Sequence, residues 1–305
     1  MKTNLQPVFN FISGFLACLF IIIQSSFNNN REIKTTPQPE FNIHQWYAPA
    51  IPQKIDFAGE TVPLEQLDIK ERLDRELLFN YYWQNNILYI LKLANRFFPT
   101  IEKQLALNGV PDDFKYLCVA ESNLLANATS RAGAVGFWQF MAGTAPAYQL
   151  EVDSRVDERR HIIQSTDAAC KYLKSAYSKF GSWTAAAASY NCGQGGYAVQ
   201  AKMQKTNNYY DLFLPEETNR YIFRILAFKH LVENAKDLGF ILSDEELYHP
   251  VKTKTVTVTA TIVDLSQFAL DNGTNYKTLR NLNPWLKSNS LVVKPRKSYE
   301  INLPL

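Results

Sequence analysis

The chain has 305 residues, of which 46% are hydrophobic and 20% are charged, a composition that excludes global disorder and supplies a sizeable core. Its 32 lysines and arginines against 29 aspartates and glutamates leave a formal net charge of +3, too weak a bias to indicate nucleic acid as a partner. We therefore expect a large globular domain, a smaller one and a terminal extension.

The N-terminal segment is apolar. After Lys2, an apolar run extends from Val8 to Ile23, which is long for the core of a signal peptide and short for a spanning helix. We predict that residues 1–27 are a signal peptide or an uncleaved membrane anchor, and in either case we expect export. Cys18 lies in the middle of the run rather than at its end, so lipid attachment is the less favoured alternative.

Two further regions follow in the chain. Residues 28–60 are polar and contain several prolines, which predicts a linker. Residues 61–245 carry apolar residues at i, i+3 and i+4, which predicts a helical domain. The predicted helices are Ile69–Tyr82, Ile87–Phe98, Pro111–Glu121, Ser165–Phe180, Trp183–Tyr190 and Thr218–Glu233.

The pattern changes from residue 251 onward. Alternating β-branched residues reach Ile262, and further strand signals lie at Leu291 and at Tyr299–Leu303, with helix-like patterns at Leu265–Asp271 and Tyr276–Asn283. This order predicts a β-α-α-β unit in residues 251–305. The fold class is thus expected to be mainly α, with a small α+β C-terminal domain.

The four cysteines and four histidines show neither C-x-x-C nor H-E-x-x-H spacing. We therefore expect no metal site built by the protein, and the sequence indicates no cofactor. A disulfide between two of Cys118, Cys170 and Cys192 stays open for an exported chain. Cys170 lies in an alanine-rich helical segment, which favours a small core residue.

One carboxylate falls on an apolar helical face. Phe114, Leu117, Cys118 and Glu121 follow one another at i, i+3, i+4 and i+7, so a stripe that should enter the core ends with a glutamate. An outward-facing or ion-paired glutamate is an alternative that periodicity leaves open. Apolar surroundings raise the pKa of a carboxyl, which keeps it protonated as a general acid for glycan cleavage.

Two glycine-containing segments add to this candidate site. Residues 130–141 combine glycines, aromatic residues and the amide of Gln139, and four alanines at 185–188 precede Tyr190 and Asn191. A tight connection packed on the core would explain such a segment. A saccharide cleft also uses aromatic walls, amides and glycines that let the backbone approach the sugar.

These segments resemble the bacterial lytic transglycosylases with a lysozyme-like, SLT-type catalytic domain, in particular their membrane-bound members. The resemblance covers about Gly59 to Gly239 and rests on four motifs in the family's order. They are Glu121-Ser122 for E-S, Gly133 to Met141 for G-A-x-G-L-W-Q-F-M, Ala188 to Gly193 for A-A-Y-N-A-G, and Glu217 to Tyr221 for E-T-x-x-Y. Ala142 stands where the family usually has a proline. This difference affects the stiffness of the loop and not the carboxyl of Glu121.

The resemblance implies a lysozyme-like helical domain that cleaves the β-1,4 bond between N-acetylmuramic acid and N-acetylglucosamine of peptidoglycan. Glu121 would be the single acid/base. It would protonate the bridging oxygen and then take a proton from the C6 hydroxyl, which closes a 1,6-anhydro ring without water. The residues implied to line the saccharide site are Ser130, Gln139, Met141, Tyr190, Asn191 and Tyr221.

The C-terminal stretch from about Lys254 to Pro304 resembles a degenerate LysM module. Leu279 to Pro284 is similar to its L-x-x-L-N segment, whereas Ile262-Val263-Asp264 replaces the usual G-D-T turn. The family implies peptidoglycan glycan strands as the partner and a location in the cell envelope or periplasm, and the apolar N-terminal segment leaves membrane association open. The sequence does not allow a protein partner to be predicted.

Two alternative functions stay open at this point. A lysozyme-type hydrolase would need Asp153, Asp157 or Glu158 to hold an attacking water, although their charge-rich run favours an ion-paired structural loop. A catalytically inactive peptidoglycan-binding protein would keep the cleft, but it would not require a carboxyl at the position of Glu121. The products of peptidoglycan digestion distinguish all three.

Overall fold

The computed structural model describes residues 47–305. The predicted signal peptide or anchor at 1–27, with Cys18, lies outside the described residues, as does most of the predicted linker. Within residues 47–305, no helix combines the length and apolarity needed to cross a membrane.

The first part of the described chain is a helical body. Its α-helices are α1 (Leu67–Tyr82), α2 (Gln84–Asn108), α3 (Phe114–Ser122), α4 (Ile162–Phe180), α5 (Trp183–Gln204) and α6 (Glu216–Glu233). Helix α6 packs against α1 and α3, and α4 packs against α2 and α5. Residues 185–188, all alanines, are fully buried, and their small side chains let α5 approach its neighbours closely. The mainly α prediction is confirmed.

Two helices run further than the sequence pattern indicated. The predicted end of α2 at Phe98 is wrong, because the helix continues through Pro99 until Gly109 adopts a left-handed conformation at φ 65°. Residues on both sides of Pro99, among them Leu93 and Leu105, are buried in the core. That burial offsets the hydrogen bond that proline removes. Helix α5 likewise continues beyond Tyr190, with a break at Gly193.

A short hairpin precedes the helices. Strand β1 (Asp56–Phe57) pairs antiparallel with β2 (Glu60–Thr61). Phe57 is fully buried, and its ring lies 5.1 Å from that of Phe114. The C-terminal end of the predicted linker therefore packs on the helical core.

The C-terminal module has the β-α-α-β order that the sequence predicted. Strand β3 (Thr253–Val258) pairs antiparallel with β4 (Tyr299–Pro304), and helices α7 (Leu265–Asp271) and α8 (Tyr276–Leu282) lie between them in sequence. Leu291 forms an isolated bridge with Ile262 instead of a strand. A second hydrophobic core fills the module.

The module and the helical body are joined through residues 151–161. Val156 is buried in the core of the module. The backbone N–H of Asp157 donates to the carbonyl of Trp285 at 2.9 Å, and the N–H of Lys287 donates to Arg155 at 2.7 Å. Ala48 to Leu305 accordingly forms one compact unit, and independent folding of residues 61–245 and 251–305 stays a prediction.

Candidate active site

Glu121 lies in the last turn of α3, which ends where Asn123 adopts a left-handed conformation at φ 51°. Phe114, Leu117 and Cys118 are fully buried, so the apolar stripe predicted from the sequence enters the core. The carboxyl of Glu121 accepts a hydrogen bond from the hydroxyl of Tyr221 on α6. Glu121 also lines a cavity of about 750 Å³.

The environment of Glu121 favours its protonated form. Burial raises its pKa, the hydrogen bond from Tyr221 and the charge of Arg224 lower it, and Glu217 raises it again, with a resulting pKa of about 7. Burial therefore dominates over the positive charge nearby. A carboxyl with this pKa can both give and take a proton near neutral pH.

A second carboxylate lines the same cavity but is held by arginines. Glu76 on α1 is 2% exposed. Its Oε1 lies 2.6 Å from Nε of Arg220, and its Oε2 lies 3.8 Å from Nε of Arg224. Both arginines line the cavity. Both oxygens of the Glu76 carboxylate therefore face arginines, so this group is already occupied by ion pairs.

The loop that follows Glu121 forms another wall of the cavity. Gly136 has φ 86°, and a Cβ at this position would lie 1.9 Å from the carbonyl oxygen of Arg159, so no other residue fits there without movement. Gln139, at φ 49°, donates from Nε2 to the carbonyls of Gly136 at 2.9 Å and Ala128 at 3.2 Å. These bonds fix the wall next to Glu121.

A buried ion pair supports this loop from behind. Asp157 is 1% exposed and binds Arg159 through two hydrogen bonds of 2.8 Å each. Arg159 in turn donates to the carbonyl of Phe140 at 3.0 Å. Oδ1 of Asp153 accepts from backbone N–H groups, and Glu158 accepts from the N–H of Glu151. None of the three carboxylates considered for a hydrolase lines the cavity with Glu121 among the described residues.

The structure brings four of the six predicted saccharide-binding residues close to Glu121 or to its cavity. Ser130 and Gln139 line its cavity, and Tyr221 contacts its carboxyl. Tyr190 donates to the carbonyl of Trp138 at 2.8 Å, and burial followed by the nearby charge of Glu121 raises the pKa of Tyr190. The remaining two, Met141 and Asn191, do not line the cavity, and Asn191 accepts from Thr218 at 2.9 Å.

Sequence reasoning missed several lining residues on α1 and α6. Phe79 and Trp83 lie at the cavity with 63% and 53% of their surface exposed. Exposed aromatic residues are typical of saccharide sites, but the sequence alone does not show which aromatic side chains are exposed. Glu76 did have a signal, because it follows Ile69 and Leu73 at i+7 and i+3 on a buried face, the same pattern that singled out Glu121.

The cysteines of the described chain are not paired. Cys118 and Cys170 are buried and Cys192 is half-buried, and all three are free thiols. Burial raises the pKa of Cys170 to about 12, so it stays protonated. Cys170 thus packs as a small core residue, as the sequence favoured.

Two family models match this chain. Residues 98–213 match the Transglycosylase SLT domain, and residues 254–305 match the Soluble lytic transglycosylase C-terminal LysM-like domain. The predicted resemblance to SLT-type lytic transglycosylases with a LysM-like C-terminal module is confirmed.

Similarity to individual proteins covers part of the chain. Membrane-bound lytic murein transglycosylase D from two Escherichia coli strains is 31% identical over 144 residues, which are 46% of this chain and 32% of those proteins. The chain thus spans about a third of the length of these curated relatives. An inactive mutant of lytic transglycosylase Slt from Pseudomonas aeruginosa aligns with 50% of this chain and 26% of its own, at 20% identity and a TM-score of 0.37.

Proposed function

We propose that this protein cleaves the β-1,4 bond between N-acetylmuramic acid and N-acetylglucosamine in peptidoglycan by intramolecular transglycosylation, which leaves 1,6-anhydromuramyl ends. The observation that carries the proposal is the carboxyl of Glu121, which lines an open cavity, contacts Tyr221 and has a pKa raised to about 7. The matches to the SLT domain and to the murein transglycosylases support the substrate class.

The proposed reaction uses Glu121 twice. As the acid it donates its proton to the bridging oxygen while the bond to C1 breaks. The carboxylate then accepts the proton of the C6 hydroxyl, whose oxygen attacks C1 and closes the anhydro ring. The proton count balances with one carboxyl, and no water is consumed.

The surroundings of Glu121 support a single acid/base. A two-carboxylate hydrolase needs its second group free to attack C1 or to activate water. Glu76 is the other carboxylate at this cavity among the described residues, and Arg220 and Arg224 bind it. We assign saccharide binding to Ser130 and Gln139 and positioning of the acid to Tyr221.

We further propose that the protein acts in the cell envelope. The murein transglycosylase D proteins that it matches are described as membrane-bound, and the apolar N-terminal run in its sequence is consistent with export. The LysM-like module would bind the same glycan strands as the helical body, which would hold the enzyme on insoluble substrate.

Digestion of purified peptidoglycan by the full chain tests the proposed reaction. We expect products with 1,6-anhydromuramyl ends, which are lighter by one water than the reducing ends that a hydrolase leaves. Products with reducing ends would support the hydrolase, and an undigested glycan that still binds the protein would support an inactive binder. The masses of the products distinguish the three outcomes.

A further inference from the structure

A second large cavity lies between the helical body and the C-terminal module. Its volume is about 790 Å³, within the range of roughly 300–1,000 Å³ that small-molecule sites occupy. Arg96 on α2 and Asn127 after α3 line one side, and Arg280 and Trp285 of the module line the other. This cavity shares no lining residue with the cavity of Glu121.

The lining of this seam cavity is cationic. Arg96, Arg160 and Arg280 line it, and no aspartate or glutamate of the described chain does. Arg96 donates to the carbonyl of His249 at 3.1 Å, and Arg280 donates to the hydroxyl of Tyr276. Both of these acceptors are uncharged, so the two guanidinium charges are not neutralised by their hydrogen bonds.

The third arginine is only partly compensated. Nε of Arg160 lies 3.8 Å from Oδ2 of Asp157, but that carboxylate already binds Arg159 through two hydrogen bonds. Another Arg160 nitrogen, Nη1, donates to Oδ1 of Asn127 at 2.9 Å. The cavity therefore carries an excess of positive charge, which favours an anionic ligand.

Three N–H donors at the seam cavity lack an acceptor among the described residues. They are Nε of Arg160, Nε of Arg280 and Nε1 of Trp285, all of them buried. Trp285 is 2% exposed, and its ring stacks on Tyr299 at 5.6 Å, so the indole is fixed in place. Buried N–H groups are nearly always hydrogen-bonded in folded proteins, and these donors are concentrated beside one cationic cavity.

We propose that the seam cavity is a ligand site for a small peptide-like molecule with a free carboxylate. The guanidinium groups of Arg96 and Arg160 on one wall and of Arg280 on the other supply the hydrogen bonds to the carboxylate. Guanidinium groups bind carboxylates with strong, charge-assisted hydrogen bonds. The cavity is far larger than an inorganic anion, and the amides of Asn127 and Asn302 in its lining match peptide groups.

Binding at this site would stabilise the junction of the two parts of the chain. The ligand would contact residues of the helical body and of the module together, and a ligand that binds the folded state raises the unfolding temperature. Asn127 also precedes Ala128, whose carbonyl accepts from Gln139 in the wall of the Glu121 cavity. The site thus adjoins the proposed cleft without overlapping it.

Calorimetric titration of the full chain tests the site. The probes are N-acetyl-alanyl-alanine and N-acetyl-alanyl-phenylalanine with free carboxylates, the C-terminal amides of both, and inorganic phosphate. None has a glycosidic bond, so the result does not depend on the proposed reaction. We expect saturable binding of a dipeptide carboxylate with a rise in unfolding temperature, and at least ~10-fold weaker binding of its amide, as expected for a lost charged hydrogen bond.

Arginine variants on the two walls locate the binding. Arg280→Gln and Arg96→Gln should each weaken dipeptide binding by about 10-fold or more. Arg296→Gln is the matched control, because Arg296 is an exposed arginine of the same module outside the cavity. Circular dichroism checks the fold of each variant. A loss in either variant with none in the control supports the site.

Three results would overturn the proposal. They are the absence of binding by both dipeptide carboxylates, equal binding of carboxylates and amides, and affinity unchanged in both Arg280→Gln and Arg96→Gln. Binding of phosphate alone is a case of the first result, and it would assign a simple anion site rather than a peptide site.

Discussion

The hydroxyl of Tyr221 donates a hydrogen bond to Oε1 of Glu121 across 100 residues of sequence. Tyr221 is 2% exposed, so the core fixes the donor beneath the carboxyl. The hydrogen bond stabilises the carboxylate, whereas burial stabilises the acid, and the pKa of about 7 reflects the larger effect of burial. This pair makes the proposed double role of Glu121 physically reasonable.

Replacement of Glu121 by glutamine tests proton transfer. Glu121→Gln keeps the size and the hydrogen-bond acceptor for Tyr221 but removes the titrating proton. We expect the rate of glycan cleavage to fall by at least ~10²-fold, the usual contribution of a general acid, while glycan binding persists. Glu245→Gln is the control, because Glu245 is exposed, lies outside the cavity and is not among the groups that shift the pKa of Glu121. Near-normal turnover in Glu121→Gln would remove Glu121 as the acid.

The same variant should not lose stability near neutral pH. The folded-state pKa of Glu121 is raised to about 7. Its contribution to the free energy of unfolding is therefore complete below its ordinary pKa and is lost as pH rises through about 7. Glutamine carries no such penalty. We therefore expect the unfolding temperature of Glu121→Gln to equal or exceed that of the unaltered protein above about pH 7, measured by calorimetry.

The pH dependence of cleavage follows from the same pKa. Glu121 must start protonated to act as the acid, so the single-turnover rate on a soluble glycan chain should fall as pH rises through about 7. Circular dichroism at each pH would exclude unfolding as the cause. A rate that keeps rising in the folded protein well above neutral pH would require Glu121 as an anion and would favour a hydrolase.

Loss of the Tyr221 hydroxyl should shift this profile. Tyr221→Phe keeps the buried ring but removes the donor that lowers the pKa of Glu121. We expect the declining limb of the rate profile to move to higher pH, with a rate loss of roughly 10-fold from the misplaced acid. Tyr197→Phe is the control, because its hydroxyl donates to Asn207 at 2.9 Å, away from the cavity. An unshifted limb would exclude Tyr221 as a determinant of the pKa.

Gly136 should tolerate no side chain. Gly136→Ala would place Cβ 1.9 Å from the carbonyl oxygen of Arg159, whereas Gly133→Ala meets nothing within 4 Å at a similar φ of 88°. Both variants carry the strain of positive φ, so their difference isolates the clash. We expect Gly136→Ala to lower the free energy of unfolding by about 2–4 kcal/mol more than Gly133→Ala. Equal losses in urea titrations would contradict this account of the loop.

Glu151 should link the stability of the junction to pH. Burial alone would raise its pKa, but hydrogen bonds from Lys294, Lys297 and Tyr299 lower it to about 2. A depressed pKa contributes stability above the ordinary pKa that is lost as pH falls toward 2. Glu151→Gln should therefore cost about 2–3 kcal/mol near neutral pH, and the cost should shrink in acid.

The exposed carboxylate of Glu245 provides the control for this measurement. Glu245→Gln removes the same charge from a residue with no ion pair among the described residues. Calorimetry at several pH values should show little change for Glu245→Gln. A cost of Glu151→Gln that does not vary with pH would contradict the assignment to its ion pairs.

Local sequence was sufficient for much of the helical body and for the choice of Glu121 as the candidate acid. Periodicity located the helices because an amphipathic helix repeats its buried side every three to four residues, and Glu121 stood out because a carboxylate interrupted that repeat. The periodicity failed to predict the end of α2. A proline such as Pro99 usually ends a helix, but here the contacts of both halves of α2 with the core outweigh that local signal. The continuation of α5 beyond the break at Gly193 was missed likewise, because Tyr197 and Ala201 in that continuation are buried in the core.

The sequence by itself determined the mainly α fold, the β-α-α-β order of the module and the choice of Glu121, since each is written in residue spacing and motif order. Only the tertiary structure decided what surrounds Glu121. Tyr221, Glu76 and the loop at Gly136 reach its cavity from distant parts of the chain, and burial together with the hydrogen bond from Tyr221 and the charges of Arg224 and Glu217 sets its pKa. The seam cavity is likewise a product of folding, because its arginines belong to segments that only the packing of the module on residues 151–161 brings together.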